Sequence, residues 1–536
     1  MKENKKYLLY LILVCGAVFL SHLDVIYVNI MEARNFITAR EMLQNGNWIH
    51  TTMNLEPRYE KPPLPTWLTA ISASVFGLDS LFGLRLPAVL SVICIILTSF
   101  FLGLKFFKTS KQGFFSALIL ATSFYIIFSG RNGQWDIFAH AFMLLAIYQL
   151  VLVFQSEANL WQNWIWAGVF LGLSFMSKGP VSHFALLLPF LIAYGIVYRY
   201  HGFAGKWKGI FPLFILFITV GLSWGFYIYL TDGSSADAIA DKETAAWADR
   251  NVRPFYYYWS FFTQSGIWTF FAFIALLYPY MRSRVSDIRA YTFFFLWTAI
   301  DVLLLSLIPE KKSRYLLPVL IPLAFTTSFY IEFLVVKGKR IIKLDKWVAN
   351  FGFGLIGIIG VSFPVAGYLF FKDQLAGFIL PFVLVSIALF GLGIYIFKIL
   401  VEQNYESAFY SVVLFLCAIM LFGFPMAQLF YDNDQFKNIS EVRNDPTNDH
   451  LPLFYIGEIA PELIWELGEP AKRIESLDQM PRQITFGLFA NDSIATEISK
   501  KYVVKSNTKY DINYVNRNKK GYKERLTTNF LVLEHN

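Results

Sequence analysis

Charged residues are scarce in this sequence: Asp, Glu, Lys and Arg make up only 16% of its 536 positions, against about 25% in ordinary soluble domains. Apolar residues fill the deficit, reaching 56%, with 18% aromatic and a mean hydropathy of +0.48. A water-soluble fold of this length could not bury so much apolar surface. Repeated apolar runs of about 18 residues or more define a multi-pass membrane protein. Cysteine is nearly absent, and Cys15, Cys94 and Cys417 all fall inside apolar runs. Neither a disulfide framework nor a cysteine-ligated metal is expected. No small-x-small cleavage site follows MKENKKYLLYLILVCGAVFL, and Val14 before Cys15 is a poor lipobox, which favours an uncleaved first span. The net charge of +8 sits mainly in short connections between apolar runs. It reads as topology rather than as a nucleic-acid footprint.

Apolar runs occupy residues 7–28, 86–104, 114–129, 137–154, 163–177, 183–198, 209–230, 267–280, 290–308, 315–336, 350–371, 378–400 and 407–430, thirteen candidate spans. Lys2, Lys5 and Lys6 set the N-terminus in the cytoplasm. Alternation then puts the basic connections KFFKTSK, YRYHGFAGKWK, RSRVSDIR and VKGKRIIKLDK on the same side. The sequence therefore predicts an all-α polytopic membrane domain over 1–430, with a first external loop at 29–85. An odd number of spans leaves the tail, 431–536, outside. Its β-like LPLFYIG, RQITFGLF and NFLVLEHN alternate with helix-like PELIWEL and SIATEISKKY, the pattern of a small α/β domain.

This topology gathers the unusual polar segments on the external side: the loop 29–85, SGRNGQWD at 129–136, SKGPV at 177–181, a polar loop at 231–266 and PEKKSRY at 309–315. The spans read as free of deeply placed ionisable residues and of internal repeats, which counts against a transporter. In EARNFITAREML, Glu32, Phe36, Ala39 and Leu43 share one helical face, so the segment is expected to lie along the membrane surface. Glu32 is either a general base or a first-turn glutamate favoured by the helix dipole. Asp136, beside Arg131 at the start of a span, is either functional or an N-cap. Lys178 is either a site cation or a residue snorkelling to the interface. Lys311, Lys312 and Arg314 run against the positive-inside bias and suit a phosphate headgroup. In MNLEPRYEKPPLPTW, Pro62, Pro63 and Pro65 block regular helix until about Leu64. That would hold Arg58, Glu60 and Lys61 outward, or make a rigid connector in which Glu60 and Lys61 pair.

The order EARNFITAREML, YEKPPLPTW, a turn ending in Asp, SKGPV and KKSRYLLP resembles the bacterial aminoarabinose transferases, relatives of the protein O-mannosyltransferases with the GT-C membrane fold. The resemblance covers roughly residues 20–330 by motif. It implies an inverting glycosyltransferase that takes its sugar from a polyprenyl phosphate and passes it to a lipid A-like or other envelope glycan outside the cytoplasmic membrane. It further implies that Lys61 and Tyr315 contact the donor phosphate, assisted by Arg58, Arg314, Lys178 and either Arg250 or Arg253. In two places the chain departs from the family. The usual Asp-Glu is Met31-Glu32 here, so either Glu32 or Asp136 is the base, or the copy is inactive. Glu60 matches a metal-ligating glutamate of some relatives, but residues 231–266 hold no histidine to complete such a site, so a divalent metal at Glu60 is left open. A monomer embedded in membrane lipids is expected. Two other readings remain: a protein O-mannosyltransferase-like enzyme with a polypeptide acceptor, and a non-enzymatic lipid carrier or flippase.

Overall fold

A computed structural model describes the chain except for residues 1, 159, 204, 250, 449–450, 477–478, 480–484, 502 and 535–536. Arg250 and the ends of three tail stretches (482–484, 502 and 535–536) lie outside the described residues. The chain forms two compact units. One comprises Met1–Leu23, Glu60–Pro65 and Arg85–Met426, and the other Asp24–Tyr59, Thr66–Leu84 and Ala427–Asn536. The tail section of the second unit begins close to the expected boundary at 430, but most of the first external loop clusters with it.

The first unit is helical because a backbone surrounded by apolar side chains must satisfy its own N–H and C=O groups. Among the described residues, nine helices are long and apolar enough to cross a membrane, or ten if one bent pair is a single span. The other three predicted runs are helical too, as Lys2–Cys15 running into a π turn at Gly16–Leu20, Trp161–Lys178, and His183–Leu187 running into Leu188–Tyr198. The first of these stops well short of residue 28. Beyond it, the carbonyls of Ser21 and His22 accept hydrogen bonds from the Arg131 guanidinium at 2.6 and 2.9 Å instead of continuing the helix.

The bent pair, Ser110–Ala121 and Phe124–Gly130, turns through 66°. At the break the Thr122 and Ser123 hydroxyls donate back to Leu118 and Ile119 carbonyls at 2.6 and 2.7 Å. Such back-bonding competes with the helical ladder and favours a bend. Trp268 Nε1 then donates to Thr122 Oγ1 at 2.8 Å and pins the bend in place.

The expectation that no ionisable residue lies deep within a span fails. Asp301 stands in the Ile288–Leu307 helix with both carboxylate oxygens buried and unpartnered. Glu332 lies in Leu320–Lys337 and accepts from Ser286 Oγ at 3.0 Å. A single carboxylate barely lowers the average hydropathy of a run, so periodicity and composition pass over it.

In the second unit, the helix Ile30–Asn45 begins with a capping box. Asn29 Oδ1 accepts from the Met31 and Glu32 amides, while Glu32 Oε2 accepts from the Asn29 amide and side chain at 3.3 and 2.8 Å. The one-sided pattern read from the sequence gives way to burial nearly all round, since from Glu32 to Met42 only Arg34 keeps partial exposure. The cover comes from the helix Pro461–Leu467, through Phe36 edge-on to Trp465 at 5.4 Å and Arg40 Nη2 donating to the Ile464 carbonyl at 3.2 Å. A short hairpin of β1 (Thr52–Met53) and β2 (Glu56–Pro57) follows, and Asn54 exchanges two 2.9 Å hydrogen bonds with the Ala471 backbone. The α/β tail carries β3 (Leu453–Ile456), β4 (Lys472–Ile474), β5 (Thr485–Ala490), β6 (Val503–Asp511) and β7 (Thr527–Glu534), in the order β4-β3-β5-β7-β6. β3 runs parallel to β4 and β5, and β7 antiparallel to β5 and β6.

The helices Lys343–Phe371 and Ile379–Val401 pack closely through glycine, since a Cβ on Gly360 would sit 2.5 Å from the Leu389 carbonyl oxygen. Gly360→Val is expected to cost about 1–3 kcal/mol, read as a lower unfolding temperature in detergent. Gly354→Ala on the same helix, where an added Cβ meets nothing within 4 Å, should leave that temperature unchanged or raise it.

Candidate active site

Asp136 is the first residue of the helix Asp136–Gln155, and the cap position is held by Trp135, whose side chain makes no capping bond. The N-cap reading of Asp136 therefore does not hold. Its charge is favoured at that end by the helix dipole and is met by Lys178, the last residue of the packed helix Trp161–Lys178. Lys178 donates to Asp136 Oδ1 as an ion pair, with the two residues 8% and 1% exposed. That burial excludes the snorkelling reading. Four residues further along each segment, His140 Nδ1 and Ser182 Oγ lie 2.9 Å apart, so a second polar contact sits one turn from the first. Asp136 Oδ2 is buried with no hydrogen-bond partner.

Arg131, expected beside Asp136, serves a different purpose. It donates to the carbonyls of Val18, Ser21 and His22 and lies 4.4 Å from the Phe424 ring centroid. It anchors the turn that carries Asp136 to the end of the first helix.

The PEKKSRY segment supplies the other cations. Its backbone is tied to residues 251–253, with Lys311 N donating to Asn251 O at 3.1 Å and Arg253 N to Pro309 O at 3.3 Å. Tyr258 Oη both donates to the Lys312 carbonyl and accepts from its amide, at 3.1 and 2.9 Å. Glu310 accepts from Lys312 Nζ and, at 3.0 Å, from Tyr315 Oη. Around the Tyr315 ring centroid stand Lys178 Nζ at 5.5 Å, Arg314 Cζ at 5.7 Å and Lys312 Nζ at 5.8 Å. Arg314 is electrostatically coupled to Asp136 and keeps a buried Nε without a partner. Lys61 is near enough to Lys178 for the two charges to repel. The structure thus gathers Asp136, Lys178, Lys61, Arg314 and Tyr315 in one unit, with Asp136 Oδ2 and Arg314 Nε buried and without a partner.

Other expected residues are placed differently. Arg58 is buried in the second unit, where Nη1 donates to Thr38 Oγ1 at 3.1 Å and its amide to Thr51 O at 2.8 Å. Rather than projecting outward, it fastens the hairpin to the Ile30–Asn45 helix. Glu32, in the same unit, is engaged in its capping box. Arg253 is brought beside PEKKSRY by its backbone, with its side chain exposed. Glu60 keeps a buried, unpartnered Oε2. Among the described residues no three His, Cys, Asp or Glu side chains are grouped to hold a metal ion, so the donor set does not fit one. Glu310, His140, Ser182 and Tyr258 were missed. The spacing of four from Asp136 to His140 and from Lys178 to Ser182 was the available sign for two of them.

The fold is that of a GT-C membrane protein. ArnT from Cupriavidus metallidurans superimposes with a TM-score of 0.69 in its structure bound to undecaprenyl phosphate. That match covers 98% of this chain and 97% of that one at 14% identity, and the apo structure gives 0.66. By sequence, a family described as dolichyl-phosphate-mannose-protein mannosyltransferase matches residues 60–224. The undecaprenyl phosphate-alpha-4-amino-4-deoxy-L-arabinose arabinosyl transferase of Pectobacterium atrosepticum is 26% identical over 354 residues, 63% of this chain and 60% of that protein. The enzyme of the same name from Serratia proteamaculans is 23% identical over 81% of this chain and 79% of its own length. The first of these alignments thus spans about three-fifths of the relative. The resemblance drawn from the motifs is borne out: the chain is similar in sequence to the aminoarabinose transferases and in fold to ArnT.

Losing one member of a buried ion pair strands the other. Asp136→Asn and Lys178→Met are each expected to destabilise the protein by about 3 kcal/mol. The double variant should recover at least half of the summed loss, measured by thermal unfolding in detergent as a double-mutant cycle.

Proposed function

We propose that this chain is a glycosyltransferase that moves a sugar from a polyprenyl-phosphate donor to a lipid A-like or other envelope glycan acceptor at the external face of the cytoplasmic membrane. The observation that carries this reading is the asymmetry of Asp136: Oδ1 is held by Lys178, while Oδ2 is buried and idle. A carboxylate fixed through one oxygen is oriented to accept a proton through the other. In the proposed reaction an acceptor hydroxyl gives its proton to Asp136 Oδ2 as its oxygen bonds to the anomeric carbon. The bond from that carbon to the phosphate oxygen breaks with its electron pair, and polyprenyl phosphate leaves. Attack opposite the leaving group inverts the anomeric configuration. Lys61, Arg314 and the Tyr315 hydroxyl offset the negative charge that develops on the phosphate, and Arg253, whose amide is bonded to the Pro309 carbonyl beside them, assists; preorganised charge of this kind lowers such barriers.

The names of the curated relatives support an undecaprenyl phosphate donor and a pentosyl sugar. The family match leaves a polypeptide acceptor as the rival for the last step. A carrier or flippase would have no use for an oriented base. We further propose a monomer with a cytoplasmic N-terminus and an extracytoplasmic tail.

Asp136→Asn should lower transfer from a radiolabelled polyprenyl-phosphate sugar in proteoliposomes by at least about 100-fold. Glu32→Gln, which preserves the capping box, should stay within a few-fold of wild type. Retained transfer in the Asp136 variant would end its assignment as the base. A reporter enzyme fused after Asn536 should be active only outside the cytoplasm.

A further inference from the structure

The second unit contains a cavity of about 750 Å³ that the proposed chemistry does not use. Its size is that of a small-molecule site. Two arginines face it from different parts of the chain, Arg40 from the Ile30–Asn45 helix and Arg443 from the tail. Arg40 is 4% exposed. Its Nη2 is committed to the Ile464 carbonyl and its guanidinium lies 6.0 Å from the Trp465 ring centroid, but its Nε is buried without a partner. A guanidinium held by packing and a carbonyl, with one N–H unspent, is a preorganised donor for a planar or tetrahedral anion. Arg443 is exposed and lies over Gly468, whose φ is +86° and where any Cβ would collide with the guanidinium. The absent side chain at this helix end therefore makes room for the second cation.

The remaining walls narrow the ligand class. Trp465 offers an indole face, Gln44 and Asn444 offer short amide groups, and Asp24 and Asp79 offer carboxylates that can accept from paired hydroxyls. An aromatic face with hydroxyl-matching side chains beside it suits a sugar ring, which is apolar on its faces and polar at its edge. Glu466 also lines the cavity, and burial pushes its carboxyl above the usual range. We propose that this cavity is a binding subsite for a phosphorylated saccharide, with Arg40 and Arg443 on the phosphate and Trp465 against the ring.

The test uses the full-length protein in detergent and titrates glucose 1-phosphate, glucose and inorganic phosphate, with binding followed by saturation-transfer NMR. Wild type should bind glucose 1-phosphate saturably and more tightly than either fragment. Arg443→Gln, on the exposed side of the cavity, should weaken glucose 1-phosphate about tenfold and leave glucose unchanged. Arg443→Lys should fall between the two, since it keeps the charge and loses the fork. No saturable binding to wild type, equal affinity in wild type and Arg443→Gln, or inorganic phosphate binding as tightly as the sugar phosphate would each overturn the subsite. The measurement needs no turnover. A protein that shows the phosphate-dependent difference but transfers no sugar would refute the transferase reading and leave the subsite standing. A protein that transfers sugar without that difference would do the reverse.

Discussion

The cost of removing charge from water governs the arrangement around Asp136. A carboxylate and an ammonium buried among apolar helices each carry a desolvation penalty of several kcal/mol, offset only when they meet in good geometry. Asp136 and Lys178 meet at the ends of two different helices, so each helix must end in register with the other. Nearby features serve that register. The Thr122–Ser123 break redirects the chain into the turn before Asp136, Trp268 holds the break, and Arg131 ties the same turn to the carbonyls released where the first helix stops. Trp268 thus meets a hydroxyl and Arg131 meets carbonyls that the helical ladder has left open, and leaving such groups unpaired is itself costly.

Much of the membrane part was legible in advance because hydropathy is additive along the chain: a run of apolar residues signals a helix whatever its neighbours are. Partnership is not additive. Lys178 looked like an interfacial lysine because the residue that neutralises it lies 42 positions away. Arg131 looked like company for Asp136 because it is near in sequence, yet its bonds run to Val18, Ser21 and His22. Asp301 was invisible for the opposite reason, since one charge among many leucines and phenylalanines hardly changes an average.

The proline-rich stretch shows both sides of this. Helix resumes at Leu64, as the three prolines require. The direction of the charged side chains did not follow from the same rule. A rigid backbone fixes where a side chain begins, whereas its partner decides where it points. Thr38 draws Arg58 into the protein, while Lys61, three residues on, belongs to the other unit. The loop and the tail are likewise joined by bonds no local pattern carries, such as Arg40 to Ile464 and Asn54 to Ala471, across more than 400 residues.

Two carboxylates stood as alternatives for the proposed base, and their bonding separates them. Glu32 is nearly fully buried, which from sequence favoured a perturbed, reactive acid as much as a structural one. Its Oε2, however, closes a capping box and satisfies an amide that the helix itself cannot. That role accounts for its burial with no chemistry added. Asp136 is buried to the same degree, but its ion pair engages only one oxygen. A structural role alone would be better served by a carboxylate with both oxygens bonded, because an idle buried acceptor weakens the fold. On the transferase reading proposed above, that open oxygen is the one placed to take a proton, which is why Asp136 rather than Glu32 is the proposed base.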